Sequence, residues 1–268
     1  MATLPDWFPK KGEWLDLSIA VLVLAFAFSF RFPGTFSFAR WFGFFVASLV
    51  LVLISVFVHE AVHRAVAEKY QAVVTSKVWL AGLVATIVLV LLTNGYVVFA
   101  APWAVSIVSK YFYRPGKHPA RPFLGPYERA IIAMSGPLAN FGLALIAKLL
   151  VPVFGDFAIL LMIINLSLAV FNLFPFFTLL PFLAIRRAPF ISKGYYKEQW
   201  PYIEGEFVFF GSRVLWAFMF FFVVLASLLL FYFGALSSLI TALFSALMIW
   251  IAWHYFFEGA KPKPAKPI

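Results

Sequence analysis

Three residues in the first quarter of the chain have the types and spacing that chemistry at a metal ion requires. The run Val58-His59-Glu60-Ala61-Val62-His63 sets two histidines at i and i+4, with a glutamate directly after the first. On a helix those two positions share a face. His59 and His63 can therefore offer imidazole nitrogens to one ion, and Glu60 stands beside them to take a proton from water. Zinc suits such a set because it accepts nitrogen and oxygen ligands, keeps a position open and lowers the pKa of its water to about 7. The chain has no cysteine, so any metal must be held by His, Asp or Glu. The plainer alternative is a His pair and a Glu that pair with Arg64 and Lys69 at a helix end. Inside an apolar helix that arrangement is expensive, and ionisable groups at membrane depth are functional candidates by default.

The elements that must position these residues are apolar. Of 268 residues, 64% are hydrophobic and 12% charged, where soluble domains carry about 25% charged residues. The net charge of +10 does not point to nucleic acid, because Lys and Arg fall between apolar runs as the positive-inside rule distributes them. Spans are expected at about 16–30, 41–58 (continuing as helix to about 68), 130–150, 157–176, 208–231 and 235–256. Residues 78–109 carry no charge. Their first half reads as helix, Asn94-Gly95 breaks it, and the stretch from Tyr96 to Ile107 reads as extended. Bare extended backbone cannot face lipid, so 78–109 is expected to be a re-entrant hairpin packed against protein. The fold class is an all-α polytopic membrane protein of about six transmembrane helices plus a re-entrant helix/β-like hairpin. With the N-terminus read as a retained cytosolic anchor, only Arg31, Arg40 and Lys148 fall outside, which leaves 18 of the 21 Lys and Arg residues on the cytosolic side. The expected location is the cell membrane, multi-pass, with both termini cytosolic. The organisation is a single membrane-embedded domain over 1–268, with its catalytic core at 41–215. Residues 177–206 form a cytosolic loop or flap and 259–268 a basic tail.

Two further motifs extend the pattern. Ser135-Gly136-Pro137-Leu138-Ala139-Asn140-Phe141 and Asn172-Leu173-Phe174-Pro175 follow the His-Glu-His run in order. With it they resemble the GPxxN and NxxPxxxLDG motifs of the site-2 protease family of intramembrane zinc metalloproteases, over about residues 40–215. The resemblance implies a zinc endopeptidase that cuts transmembrane segments of membrane-protein substrates inside the bilayer, with Glu60 as general base. It places Asn140 and Asn172 near the bound substrate strand, with Asn140 also a candidate for holding the oxyanion; the plainer role for both is polar glue between helices.

One departure bears on the metal. The family's third zinc ligand is the Asp of LDG. That position here is Leu180, followed by Pro181, and Leu cannot bind zinc. Downstream, Ile203-Glu204-Gly205 is similar to Leu-Asp-Gly with a longer carboxylate, and it also precedes an apolar span. Glu204 is therefore the expected third ligand, Glu206 the runner-up, and 176–202 an insertion; a solvated loop glutamate is the plain alternative. Asp156 falls on the outer side. The stretch Tyr96–Ile107 could pair with an unwound substrate by strand addition. Two rival functions remain: a catalytically inactive relative that serves as a membrane-protein binding module, and a membrane metal transporter.

Overall fold

The computed structural model describes residues 12–30, 37–110, 124–176 and 202–255. Among them are eight helices and two strands: α1 (Glu13–Ser29), α2 (Phe38–Lys69), β1 (Ala72–Val78), α3 (Leu80–Leu92), β2 (Trp103–Ser109), α4 (Pro126–Phe154), α5 (Asp156–Leu173), α6 (Glu204–Gly211), α7 (Arg213–Tyr232) and α8 (Ala235–Trp253). Five of these helices, α2, α4, α5, α7 and α8, are long and apolar enough to cross a membrane. The first expected span is helix α1, which at 17 residues carries Glu13 and Asp16 in its first turn.

The polarity of α2 explains why this chain belongs in lipid. Phe42, Val46, Val50, Leu53 and Phe57 face outward, while Ser55, His59, Glu60, His63 and Arg64 on the same helix are buried. That pattern is inside-out for a protein in water and favourable in hydrocarbon. The helix has 32 residues, about 48 Å in length. His59 lies about 28 Å along it from Arg40, a length close to the roughly 30 Å thickness of a hydrocarbon layer.

Helices α4 and α5 pack together, and both pack on α2. A polar rivet joins α5 to α2: the Asn165 side-chain amide donates to Ser55 Oγ at 2.8 Å, and Ser55 donates on to the Leu51 carbonyl at 2.7 Å. Gly155, at φ 53°, makes the tight link between α4 and α5, a conformation that favours glycine.

Residues 78–109 hold the expected helix, break and extended stretch, but the extended part, expected to pair with a substrate strand, pairs within the chain. Helix α3 ends at Leu92, and Asn94 (φ 49°) and Gly95 (φ 76°) reverse the chain. The extended half pairs antiparallel with a strand that hydropathy did not signal, β1, in the register Ala72↔Ser109 through Val78↔Trp103. β1 lacks a hydrophobic signal because Thr75, Ser76 and Lys77 interrupt it. On the other edge of β2, Val105 exchanges both backbone hydrogen bonds with Tyr202, at 2.7 and 2.8 Å. β2 is thus paired with β1 along its length and with Tyr202 at Val105, and Trp103 through Ile107 are all buried.

The expected span 208–231 is two helices. Ser212 is extended (φ −163°, ψ 107°) and its hydroxyl accepts from the Leu215 N–H at 3.2 Å, so it ends α6 and caps α7. Residues 177–201, which include Leu180, Pro181 and nearly all of the expected flap, lie outside the described residues, as does the tail 259–268.

Candidate metal centre

His59 and His63 project from the buried stripe of α2, and both are completely buried. Their ring centroids are 5.8 Å apart. Two imidazoles on one tetrahedral zinc would hold their centroids about 5 Å apart, so one helical turn suffices to bring both to a single ion.

Glu204 arrives from a segment 145 residues away. Its Oε1 lies 2.7 Å from His59 Nε2, and the residue is 1% exposed. It gets there because α6 packs closely against its neighbours. A side chain at Gly205 would run into the Leu173 carbonyl at the end of α5, and one at Gly211 would run into Ala130 and the Pro126 carbonyl of α4. The Trp216 indole N–H donates to the same Leu173 carbonyl at 2.9 Å, so α5, α6 and α7 meet at one point beneath the glutamate. Burial pushes the Glu204 carboxyl above the usual carboxylate range, and the His59 imidazole opposes that shift. Glu206 is equally buried and lies near Tyr202, whose phenol is pushed up by burial and by the Glu206 charge.

Asn140 and Gly136, one turn apart on α4, close the site from the other side. The Asn140 side-chain amide lies 3.1 Å from His59 Nδ1. As oriented, Nδ2 donates to Nδ1, so the ring proton sits on Nε2 and is donated to Glu204. With the amide turned over, Oδ1, which has no other partner, would accept from Nδ1–H and free the Nε2 lone pair. A metal-binding histidine needs the second arrangement. Gly136 leaves room for the ring: a Cβ there would sit 2.5 Å from His59 Nε2 and 2.6 Å from Cε1. Trp103 of β2 packs edge-on against His59, with ring centroids 5.6 Å apart. Asn172, on the last turn of α5, is buried with its Nδ2 unpartnered among the described residues and is not hydrogen-bonded to His59, His63 or Glu204.

Do these residues fit zinc? Among the described residues, no group of three His, Asp or Glu side chains stands close enough together to hold a metal as placed. The donor chemistry fits nonetheless. Both ring nitrogens of His63 and the Oε2 of Glu204 are buried without a hydrogen-bond partner, and such orphaned groups are costly unless something satisfies them. Two ligand atoms on one zinc lie about 3.3 Å apart, so the 2.7 Å contact between His59 and Glu204 has to open by only about 0.6 Å.

The sequence reading missed the surroundings of Glu60. Both of its oxygens are engaged: Oε2 accepts from Arg64 Nε at 3.1 Å and Nη2 at 2.9 Å, and Oε1 accepts from Ser76 Oγ at 2.6 Å. Arg64 Nη2 also donates to Glu13 Oε2 at 3.0 Å. The i, i+4 spacing of Glu60 and Arg64 was visible in the sequence; Ser76 and Glu13 come from other elements and gave no signal.

No family profile matches the chain, and no solved structure matches it. The chain is 36% identical over 137 residues to a protein of Methanocaldococcus jannaschii named "Putative zinc metalloprotease"; the match takes in 49% of this chain and 64% of that protein.

Proposed function

We propose that this chain is an intramembrane zinc endopeptidase of the site-2 type, cutting the transmembrane segments of membrane-protein substrates. The observation that carries the reading is the approach of Glu204 to His59 across 145 residues, in a helix face that also buries His63 and Glu60. The name of the similar archaeal protein and the membrane-length helices support it.

His59, His63 and Glu204 would hold the ion. Zinc bound there supplies Lewis-acid chemistry, acidifying water and polarising the scissile carbonyl. Glu60 takes the proton of the attacking water and passes it to the leaving amine. Asn140 fixes the ring orientation and tautomer of His59, a role its hydrogen bond favours over oxyanion binding. Water would reach the site from the cytosolic side, toward which the His59 end of α2 is read to point. The protein is read as a multi-pass cell-membrane enzyme with cytosolic termini.

A second reading has two observations in its favour. The direct His59–Glu204 bond and the fully engaged Glu60 would also suit a non-catalytic relative that binds membrane proteins without cutting them. A cleavage assay separates the two: purified chain in liposomes with a single-span substrate, compared with Glu60→Gln. The enzyme reading expects a fall of at least about 100-fold in the variant and abolition by chelator. Equal rates in wild type and variant, or no cleavage by either, would favour the binding module.

A further inference from the structure

Four buried residues from three elements form a connected polar cluster that zinc binding does not use. Arg64 on α2 donates from Nε and Nη2 to one oxygen of Glu60 and from Nη2 to Glu13 on α1; Ser76 on β1 donates to the other oxygen of Glu60. Arg64 is 3% exposed, Glu60 5% and Ser76 0%. Such a cluster is expensive to bury, and it holds together only because every charge has a partner.

We propose that Arg64 and Ser76 are positioning residues for Glu60, forming a clamp, anchored through Glu13, that fixes the carboxylate of the proton-transferring base. This inference rests on the endopeptidase reading. A glutamate side chain has three rotatable bonds, and a base must be held within hydrogen-bonding reach of the proton it takes. Here the planar guanidinium fixes one oxygen from two nitrogens, and the serine hydroxyl fixes the other. Both lone pairs of Oε2 are taken by the guanidinium, whereas Oε1 accepts only the serine hydroxyl and keeps a lone pair for water. The clamp also makes its construction legible. α1 supplies the counter-charge that keeps Arg64 from neutralising Glu60 alone, and β1 enters the site through a single hydroxyl. Arg64 acts on the reaction through Glu60 and touches no reacting atom.

Two readouts test it on the full-length protein. The first is thermal melting of the metal-free protein for wild type, Arg64→Met, Glu60→Gln and the double variant. Loss of Arg64 alone strands a buried carboxylate, so melting should fall by several degrees, and Glu60→Gln in the same chain should restore part of it. An unchanged melting temperature in Arg64→Met, or a double variant that melts below it, would overturn the clamp whatever the chain's activity. The second is zinc content with kcat and KM for cleavage of a single-span substrate. Arg64→Met should keep its zinc and its KM within about twofold and lose about 10- to 100-fold in kcat; Arg64→Lys should recover part of the loss, and Ser76→Ala should fall in the same direction by less. A kcat within about twofold of wild type, or one that rises because the clamp holds Glu60 away from its task, would overturn the positioning role. If wild type and Glu60→Gln are both inert, the endopeptidase reading fails instead, and the melting series alone decides whether the clamp exists.

Discussion

Replacing Gly136 with Ala tests whether α4 sets the position of His59. In an ordinary helix interior the change stabilises by about 1 kcal/mol. Here the new Cβ would sit 2.5 Å from His59 Nε2, 2.6 Å from Cε1 and 3.0 Å from Cδ2. Comfortable contact needs about 3.5 Å or more, so the ring or the helix must withdraw by about 1 Å. The His59 ring is also held by Asn140 at 3.1 Å and by Glu204 at 2.7 Å, and its neighbour Trp103 is buried against it, so it has little freedom to yield. Overpacking of this kind costs about 1–3 kcal/mol, which offsets the propensity gain and makes the variant neutral to less stable. The effect on the metal should be larger. Ligand distances are tolerant to about 0.2 Å, and loss of a supporting partner alone costs about 10- to 100-fold in affinity, so displacing the ligand itself should weaken zinc binding by about 100-fold or more. The assay is competition against a fluorescent zinc chelator with purified protein, alongside thermal melting. Zinc affinity within about threefold of wild type with raised stability would refute the placement of His59 against α4.

The other predictions follow from single contacts. Asn140→Leu should weaken zinc by about 10- to 100-fold, whereas Asn140→Asp, which still accepts from His59 Nδ1, should retain most of the affinity in the same titration. Gly205→Ala should release Glu204 and lose zinc, because the obstructing group is the Leu173 backbone carbonyl, which cannot rotate away; metal analysis after purification reads this directly. Asn165→Leu removes one inter-helix hydrogen bond whose measured kind averages about 0.6 kcal/mol in membranes, so it should lower stability slightly in a denaturant series and leave zinc untouched.

The parts of the site that were legible in the sequence are those carried by local spacing. His59 and His63 share a buried face because i and i+4 do on a helix, and Glu60 is the residue directly after His59. The break at Asn94-Gly95 was readable because that pair favours positive φ, and the likeness of Ile203-Glu204-Gly205 to Leu-Asp-Gly singled out Glu204, which lies against His59. What could not be read depends on distant elements meeting. β1 has a mixed polar composition and exists as a strand because β2 pairs with it. Ser76 reaches Glu60 only through that pairing, and Glu13 reaches Arg64 only because α1 packs on α2. The break at Ser212 was hidden because the apolar run continues across it; the local signal was the serine itself, which caps α7. Asn140 was read either as a residue near substrate or as polar glue between helices, and its hydrogen bond to His59 joins α4 to α2.

The central claim is that His59, His63 and Glu204 share one zinc ion. X-ray absorption at the zinc edge, with metal content measured on the same samples of wild type and Glu204→Ala, tests it most directly. Wild type should carry about one zinc per chain, bound by nitrogen and oxygen donors at about 2.0–2.2 Å, and the variant should lose most of that zinc with the fold retained. Wild-type protein that takes up no zinc, or a Glu204→Ala variant that holds it with an unchanged spectrum, would contradict it.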